Sequence, residues 1–179
     1  GVQAANSYVH MNLALFGLYP AEHVPAVPPE MLLLPGNFIY RMSSWTRAIV
    51  IPLSILYAKT VAAGATRPVP AGFDLKELFH PDRPIGFARD QRCFTWHNFF
   101  LTLDALVKRW ERGAGKATRA KAIEKARDWM LERLAYSDGL AAIYPAMQYA
   151  LMALEALGYA PDSPERMEAQ QQFDHLLTD

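Results

Sequence analysis

Few side chains in this 179-residue sequence are spaced for polar catalysis. His10, His23, His80, His97 and His175 are scattered without metal-ligand spacing, so surface or capping roles are expected of them. Ser43-Ser44 lacks the flanking glycines of a nucleophile elbow. Asp74, Glu77, Asp82 and Asp90 lie in a Gly- and Pro-rich stretch and read as solvated loop charges. Arg47 sits in an apolar helical segment and needs a salt bridge or backbone carbonyls to satisfy it. No phosphate loop is present. The distinctive segment is apolar: Asn37 to Tyr57, NFIYRMSSWTRAIVIPLSILY, with Met42, a paired serine and Trp45 at one end and Pro52 inside. Read from the residues alone, Trp45 belongs to the core of a helix packing seam. Met42 and Val50, eight residues apart, lie on nearby faces of that helix.

The chain is long enough for one domain with a substantial core, and 51% of its residues are hydrophobic. Eighteen basic and eighteen acidic residues balance, which gives no electrostatic case for nucleic acid. The single Cys93 forms no internal disulfide, so a reducing compartment is the default. The apolar run from Ala48 to Ala58 is shorter than the roughly 20 residues that span a bilayer. The chain is therefore expected to lie on a membrane at most, not to cross it. A helical start without an initiator Met or a basic leader suggests a piece of a longer protein.

The elements that must position these residues read as helices. Ala4–Leu18 carries Tyr8, Met11, Leu15 and Leu18 at helical spacing, with Pro20 as its stop. Pro28 and Pro29 open a short helix ending near Leu34, and Gly36-Asn37 breaks the chain before a helix over Ile39–Thr60. A kink is expected at Pro52. Ala63–Pro84 reads as loop with one helical turn over Asp74–Phe79. Cys93–Trp110 is amphipathic, Arg112–Ala117 a flexible connection, and Ala120–Leu134 a helix with Ile123, Trp129 or Met130, and Leu134 inward. After the Asp138-Gly139 turn, Tyr144–Leu157 has Pro145 in its first turn, Met147, Leu151 and Leu154 inward, and Gly158 as a stop. Ser163 is expected to cap a last helix opened by Pro164. No strand alternation and no tight repeat appear. The expected class is all-α, with helical hairpins stacked in a bundle or α/α barrel.

Four ordered segments resemble squalene–hopene cyclases, the bacterial triterpene cyclases. They are the Asn37–Tyr57 helix; Gly17-Leu18-Tyr19-Pro20 followed by Val27-Pro28-Pro29-Glu30; Lys125 to Arg133, KARDWMLER, similar to the helix of a QW repeat; and Asp138 to Met147, DGLAAIYPAM. Residues 62–92 carry little of the likeness. The sequence departs from the pattern at Leu134, where the family often has Gln, and at Ala141 and Ala142, where a tryptophan usually follows the Asp-Gly turn.

The resemblance implies a terpenoid-cyclase type α/α barrel. Residues 1–160 would form part of the inserted barrel, and 161–179 would begin the return into the second, catalytic barrel. It implies squalene as the substrate and hopene or hopanol as product, with no cofactor and no metal. The partners would be a membrane surface and, in the full-length enzyme, a second copy in a homodimer. The location would be the cytoplasmic face of the bacterial inner membrane. Polyene cyclisation passes through carbocations, so its cavity must exclude nucleophilic water, and aromatic faces there stabilise the cation by roughly 0.5–2 kcal/mol each. Trp45 matches a cavity tryptophan of the family. Met42 and Val50 match the wall of the substrate access channel, and Ile143 and Pro145 its opposite side. Tyr144 stands where many members carry Gln, near the site where the final cation loses its proton or gains water. Tyr149 matches an aromatic position and is expected to serve packing.

The family's acid is an aspartate in an Asp-x-Asp-Asp motif, which does not occur between Gly1 and Asp179. The chain is thus expected to be an internal fragment, inactive alone, with no catalytic residue of its own. The aromatic helix bearing Phe94, Trp96, Phe99, Phe100, Leu103 and Val107 is expected to be a buried barrel helix, the other reading being a membrane-facing surface with Lys108, Arg109 and Arg112 at the headgroups. Rivals to the cyclase reading are a non-catalytic helical binding or scaffold module, an oxidosqualene cyclase, and a prenyltransferase subunit, which would need an Asp/Cys/His zinc set.

Overall fold

The computed structural model describes residues 1–179 apart from 68, 71, 74, 93, 114, 137–139, 141 and 177–179, and the side chain at 112. Cys93, Asp74 and the Asp138-Gly139 turn therefore lie outside the described residues. The chain is all-α, as expected: the described residues hold six helices named below and several 3-10 turns, and no strand. Helix α1 is Ser7–Leu15, α2 Ser44–Leu56, α3 Trp96–Gly113, α4 Lys116–Tyr136, α5 Tyr144–Leu157 and α6 Pro164–Asp174. It divides into two compact units, residues 1–26 with 60–113 and residues 27–59 with 114–179. Each is described by itself.

In the first unit α1 begins at Asn6, whose side-chain oxygen accepts from the Val9 N–H at 3.0 Å. It ends before the expected Leu18, because Gly17 takes a φ of +70°, which glycine adopts without strain. Met11 and Leu15 are buried, whereas Tyr8 is exposed. His10 overturns its expected surface role. It is fully buried, stacked on Tyr19 at 4.3 Å and edge-on to Phe87, with its Nε2 2.8 Å from the Val2 carbonyl. The long loop is tied down by polar contacts. Gln3 bonds both the N–H and the carbonyl of His80, Gly86 N–H donates to the Tyr19 hydroxyl, and the Asn98 amide donates to the Asp90 and Arg92 carbonyls. Its one helical turn is Lys76–Leu78. Helix α3 runs to Gly113 and α4 starts at Lys116, so most of the expected connection over Arg112–Ala117 is helical.

In the second unit α2 packs on α5 and α4, α6 packs on α5 and α4, and the turn Pro29–Leu33 packs on α4. Gly36 and Asn37 break the chain as expected, with φ of +75° and +51°. The signature helix starts later than Ile39. Residues Pro35–Arg41 form 3-10 turns, and Ser43 sets the start of α2 by accepting from the Thr46 N–H at 3.1 Å. Pro52 lies buried inside α2 without ending it, and a π turn over Tyr57–Val61 follows.

On α4 the buried residues are Ala122, Ala126, Met130 and Leu134, a four-residue spacing that puts small side chains on the packing face. Ile123 and Trp129 are only half-buried. Helix α5 has the expected bounds. Tyr149, Ala150, Ala153 and Leu154 are wholly buried, and Gly158 at φ +92° stops it. Ser163 precedes Pro164 as expected, but its hydroxyl makes no capping bond.

Candidate functional site: the Trp45 wall

The candidate residues sit on two helices that pack together. Met42, Trp45 and Val50 belong to α2 and its approach, and Ile143, Tyr144 and Pro145 to the start of α5. Met42 and Val50 are half-buried, as are Ile143 and Pro145, while Tyr144 is exposed. Trp45 is not in the core of this chain. Its indole is 66% exposed at the first turn of a helix whose later residues Ile51, Ile55 and Leu56 are wholly buried. The helix-seam reading fails because Ser43 starts the helix only two residues earlier, so Trp45 precedes the first buried turn.

The approach to α2 is held by Arg47. Arg47 finds carbonyls rather than a carboxylate: its Nη1 donates to Met42 O at 2.5 Å, and its guanidinium lies 5.1 Å from the Tyr40 ring centroid. That bond fixes the backbone of Met42 beside the Trp45 turn. At the start of α5, Tyr144 packs against Phe173 of α6 at 5.4 Å. Two non-glycine residues just before Ile143 take left-handed backbone, Leu140 at φ +62° and Ala142 at φ +53°. Each such residue costs on the order of 1–2 kcal/mol. Strain of this kind persists only where packing over-determines it, and Leu140 is indeed buried.

A buried charge ties the bend before α2 to α4. The Glu30 side chain, in the Val27–Glu30 bend, is 1% exposed, and its Oε1 accepts from Arg119 Nε at 2.8 Å. Lys125 Nζ caps the Leu32 carbonyl at 2.8 Å. These two contacts lash the bend to α4, which in turn packs on α2. Reading the sequence missed this pair. A glutamate among Pro29, Met31 and Leu32 signals a needed partner, but Arg119 is 89 residues away and nothing local points to it.

The QW-like helix differs from the pattern in a way that the packing answers. The Arg133 guanidinium covers the Trp129 ring at 4.6 Å, and the Leu134 carbonyl accepts from the Gln172 side-chain amide at 3.2 Å. Tyr149 is buried, in keeping with a packing role. Among the described residues no group of three His, Cys, Asp or Glu side chains is placed to hold a metal ion. No helix of the described residues is long and apolar enough to cross a membrane. Helix α3 departs from the buried reading: Trp96, Phe99, Phe100, Leu103, Leu106 and Trp110 are exposed, as is Phe94 just before it, while Val107 is half-buried.

Comparison with known proteins is consistent along the whole chain. A family model described as the squalene-hopene cyclase N-terminal domain matches residues 1–179. The chain is 37% identical to the squalene–hopene cyclase of Zymomonas mobilis, over 99% of this chain and 27% of that protein. It is 33% identical to that of Bradyrhizobium diazoefficiens, over 99% of this chain and 27% of that protein. It is 34% identical to that of Alicyclobacillus acidocaldarius, over 88% of this chain and 24% of that protein. The chain thus spans about a quarter of the length of the curated relatives it matches.

Proposed function

The chain belongs to the squalene–hopene cyclase family, as a piece of its N-terminal domain, and from that premise we propose that it forms one wall of the reaction cavity of an enzyme that cyclises squalene to hopene and hopanol. The observation that carries the proposal is the 66% exposed indole of Trp45 at the first turn of α2, between the half-buried Met42 and Val50 in sequence. A large aromatic left uncovered costs hydrophobic free energy, roughly 1.5–3 kcal/mol for a fully exposed side chain of this kind. Such a group is kept where a further layer of protein or a ligand covers it. In the proposed cavity its π face looks onto the polyene and stabilises developing positive charge, while Met42, Val50, Ile143 and Pro145 keep water away. Tyr144 carries the one hydroxyl of the set and adjusts water near the terminating cation. Residues 161–179 begin the return into the barrel that supplies the acid, and the reaction is an intramolecular rearrangement started by alkene protonation.

The exposed aromatic face of α3 supports a membrane role. We propose that it rests in the bilayer interface with Lys108 and Arg109 at headgroup level, on the cytoplasmic face of the bacterial inner membrane, in a homodimeric parent. Squalene, wholly apolar, reaches the cavity from that surface.

The test is replacement of Trp45 by Leu and by Phe in the full-length cyclase, with hopene and hopanol measured by gas chromatography. Leu removes the quadrupole at similar burial and is expected to lower turnover by about 2- to 30-fold, the range of one cation–π contact, with Phe restoring part of it. Unchanged turnover in Trp45→Leu would sink the proposal. The 179-residue chain alone, incubated with squalene in detergent, is expected to give no hopene, since it has no Asp-x-Asp-Asp.

A further inference from the structure

Arg47 stands in the first turn of α2, directly before the apolar run Ala48–Leu53, and is half-buried. Among the described residues no carboxylate pairs with it, and its Nε is buried without a hydrogen-bond partner. A cation there is disfavoured twice over. Partial burial without an anion is unfavourable, and the start of a helix already carries partial positive charge. An apolar side chain would suit the position better if helix packing were all that mattered.

The guanidinium serves the chain that leads into the helix. Tyr40 and Met42 lie where the 3-10 turns over Pro35–Arg41 give way to α2, and no backbone N–H of the described residues bonds either carbonyl. Arg47 Nη1 stands 2.5 Å from the Met42 carbonyl and 3.5 Å from that of Tyr40, and its guanidinium covers the Tyr40 ring. Ser43 closes the same turn from within, its hydroxyl bonding both the N–H and the hydroxyl of Thr46. Trp45 lies inside this set of contacts. Its indole is largely uncovered, so side-chain packing within this chain does little to hold it, and the backbone from Tyr40 to Arg47 decides where it points.

We propose that Arg47 is a positioning residue for Trp45: by holding the carbonyls ahead of the helix it fixes the direction in which the indole is presented to squalene. The inference rests on the reading of Trp45 as a cavity residue. Arg47 bonds backbone atoms, so its effect on the reaction passes through the indole.

The test is a double-substitution cycle in the full-length cyclase, using Arg47→Met, Trp45→Leu and the two combined, with kcat and KM for squalene measured and thermal unfolding followed in parallel. Arg47→Met removes a charge-assisted hydrogen bond and is expected to lower kcat/KM by about tenfold. In the Trp45→Leu background the same change should lower it by less than about twofold, because no indole is left to position. Arg47→Lys keeps a donor for the Met42 carbonyl and should return kcat/KM to within about threefold of the wild type. Arg47→Gln repeats the cycle if the Met variant does not fold. A purely structural arginine would lower the unfolding temperature and cut kcat/KM by the same factor in both backgrounds, and that result would overturn the proposal, as would an unchanged kcat/KM in Arg47→Met. Trp45→Leu with wild-type turnover would remove the cavity reading itself, whereas a loss in Trp45→Leu that is additive with Arg47→Met would remove the positioning role alone.

Discussion

Substituting Arg119 by Met leaves the Glu30 carboxylate without its cation. The Glu30 side chain is 1% exposed, and its second oxygen already lacks a hydrogen-bond partner, so no water shell is ready to replace the lost contact. Arg119 itself is 24% exposed, so its own desolvation is modest, and the penalty falls on the carboxylate. Breaking a buried pair from one side typically costs about 3–5 kcal/mol, whereas replacing both partners is far milder. The cost should appear where the pair acts, between the Pro29–Leu33 turn and the first turns of α4.

The assay is native-state hydrogen exchange on the full-length cyclase. Protection of amides in residues 29–33 and 116–126 is expected to fall by roughly 10² to 10³-fold in Arg119→Met, since each 1.4 kcal/mol is about a factor of ten. The double variant Glu30→Gln/Arg119→Met should recover most of that protection, because a neutral amide is cheaper to bury unpaired than a charge. Helix α3, in the other unit, should exchange as in the wild type. The reasoning fails if protection in 29–33 changes by less than about threefold, or if the double variant is no better than Arg119→Met alone.

Two further outcomes can be checked. Burial pushes the Tyr19 phenol above its ordinary value, partly offset by the N–H donated from Gly86. As pH rises past about 10 the unfolded chain loses this proton first, so stability present below that pH should decline above it, with the Tyr19→Phe variant showing the shallower slope in alkaline denaturation. On α3, Phe99→Ser/Phe100→Ser should weaken flotation of the full-length cyclase with lipid vesicles by more than about tenfold, each lost aromatic removing roughly 1.5–3 kcal/mol of burial; equal flotation would refute the interfacial role.

Much of the architecture was legible in local pattern. Pro145 and Gly158 bracket α5, Pro29 opens its turn, and Gly36-Asn37 breaks the chain, because proline and glycine act through their own backbone restrictions wherever they stand. Arg47 in an apolar run needed a salt bridge or backbone carbonyls, and the fold supplies carbonyls. Helix α2 starts later than its apolar run implies, because that run continues upstream of Ser43, and the capping bond to Thr46 marks where helical hydrogen bonding begins.

What depended on tertiary structure is which apolar residues are covered. Periodicity marks a face of a helix but not what lies against it, so Trp45 and the aromatics of α3 looked like core and are exposed. His10 looked peripheral and is stacked on Tyr19. The Glu30–Arg119 pair joins residues 89 apart, a distance over which sequence spacing carries no signal. The sequence alone determined the helices and the family likeness, because caps, breakers and motifs are local. Burial and charge pairing were decided by the fold, because both depend on neighbours that only packing brings together.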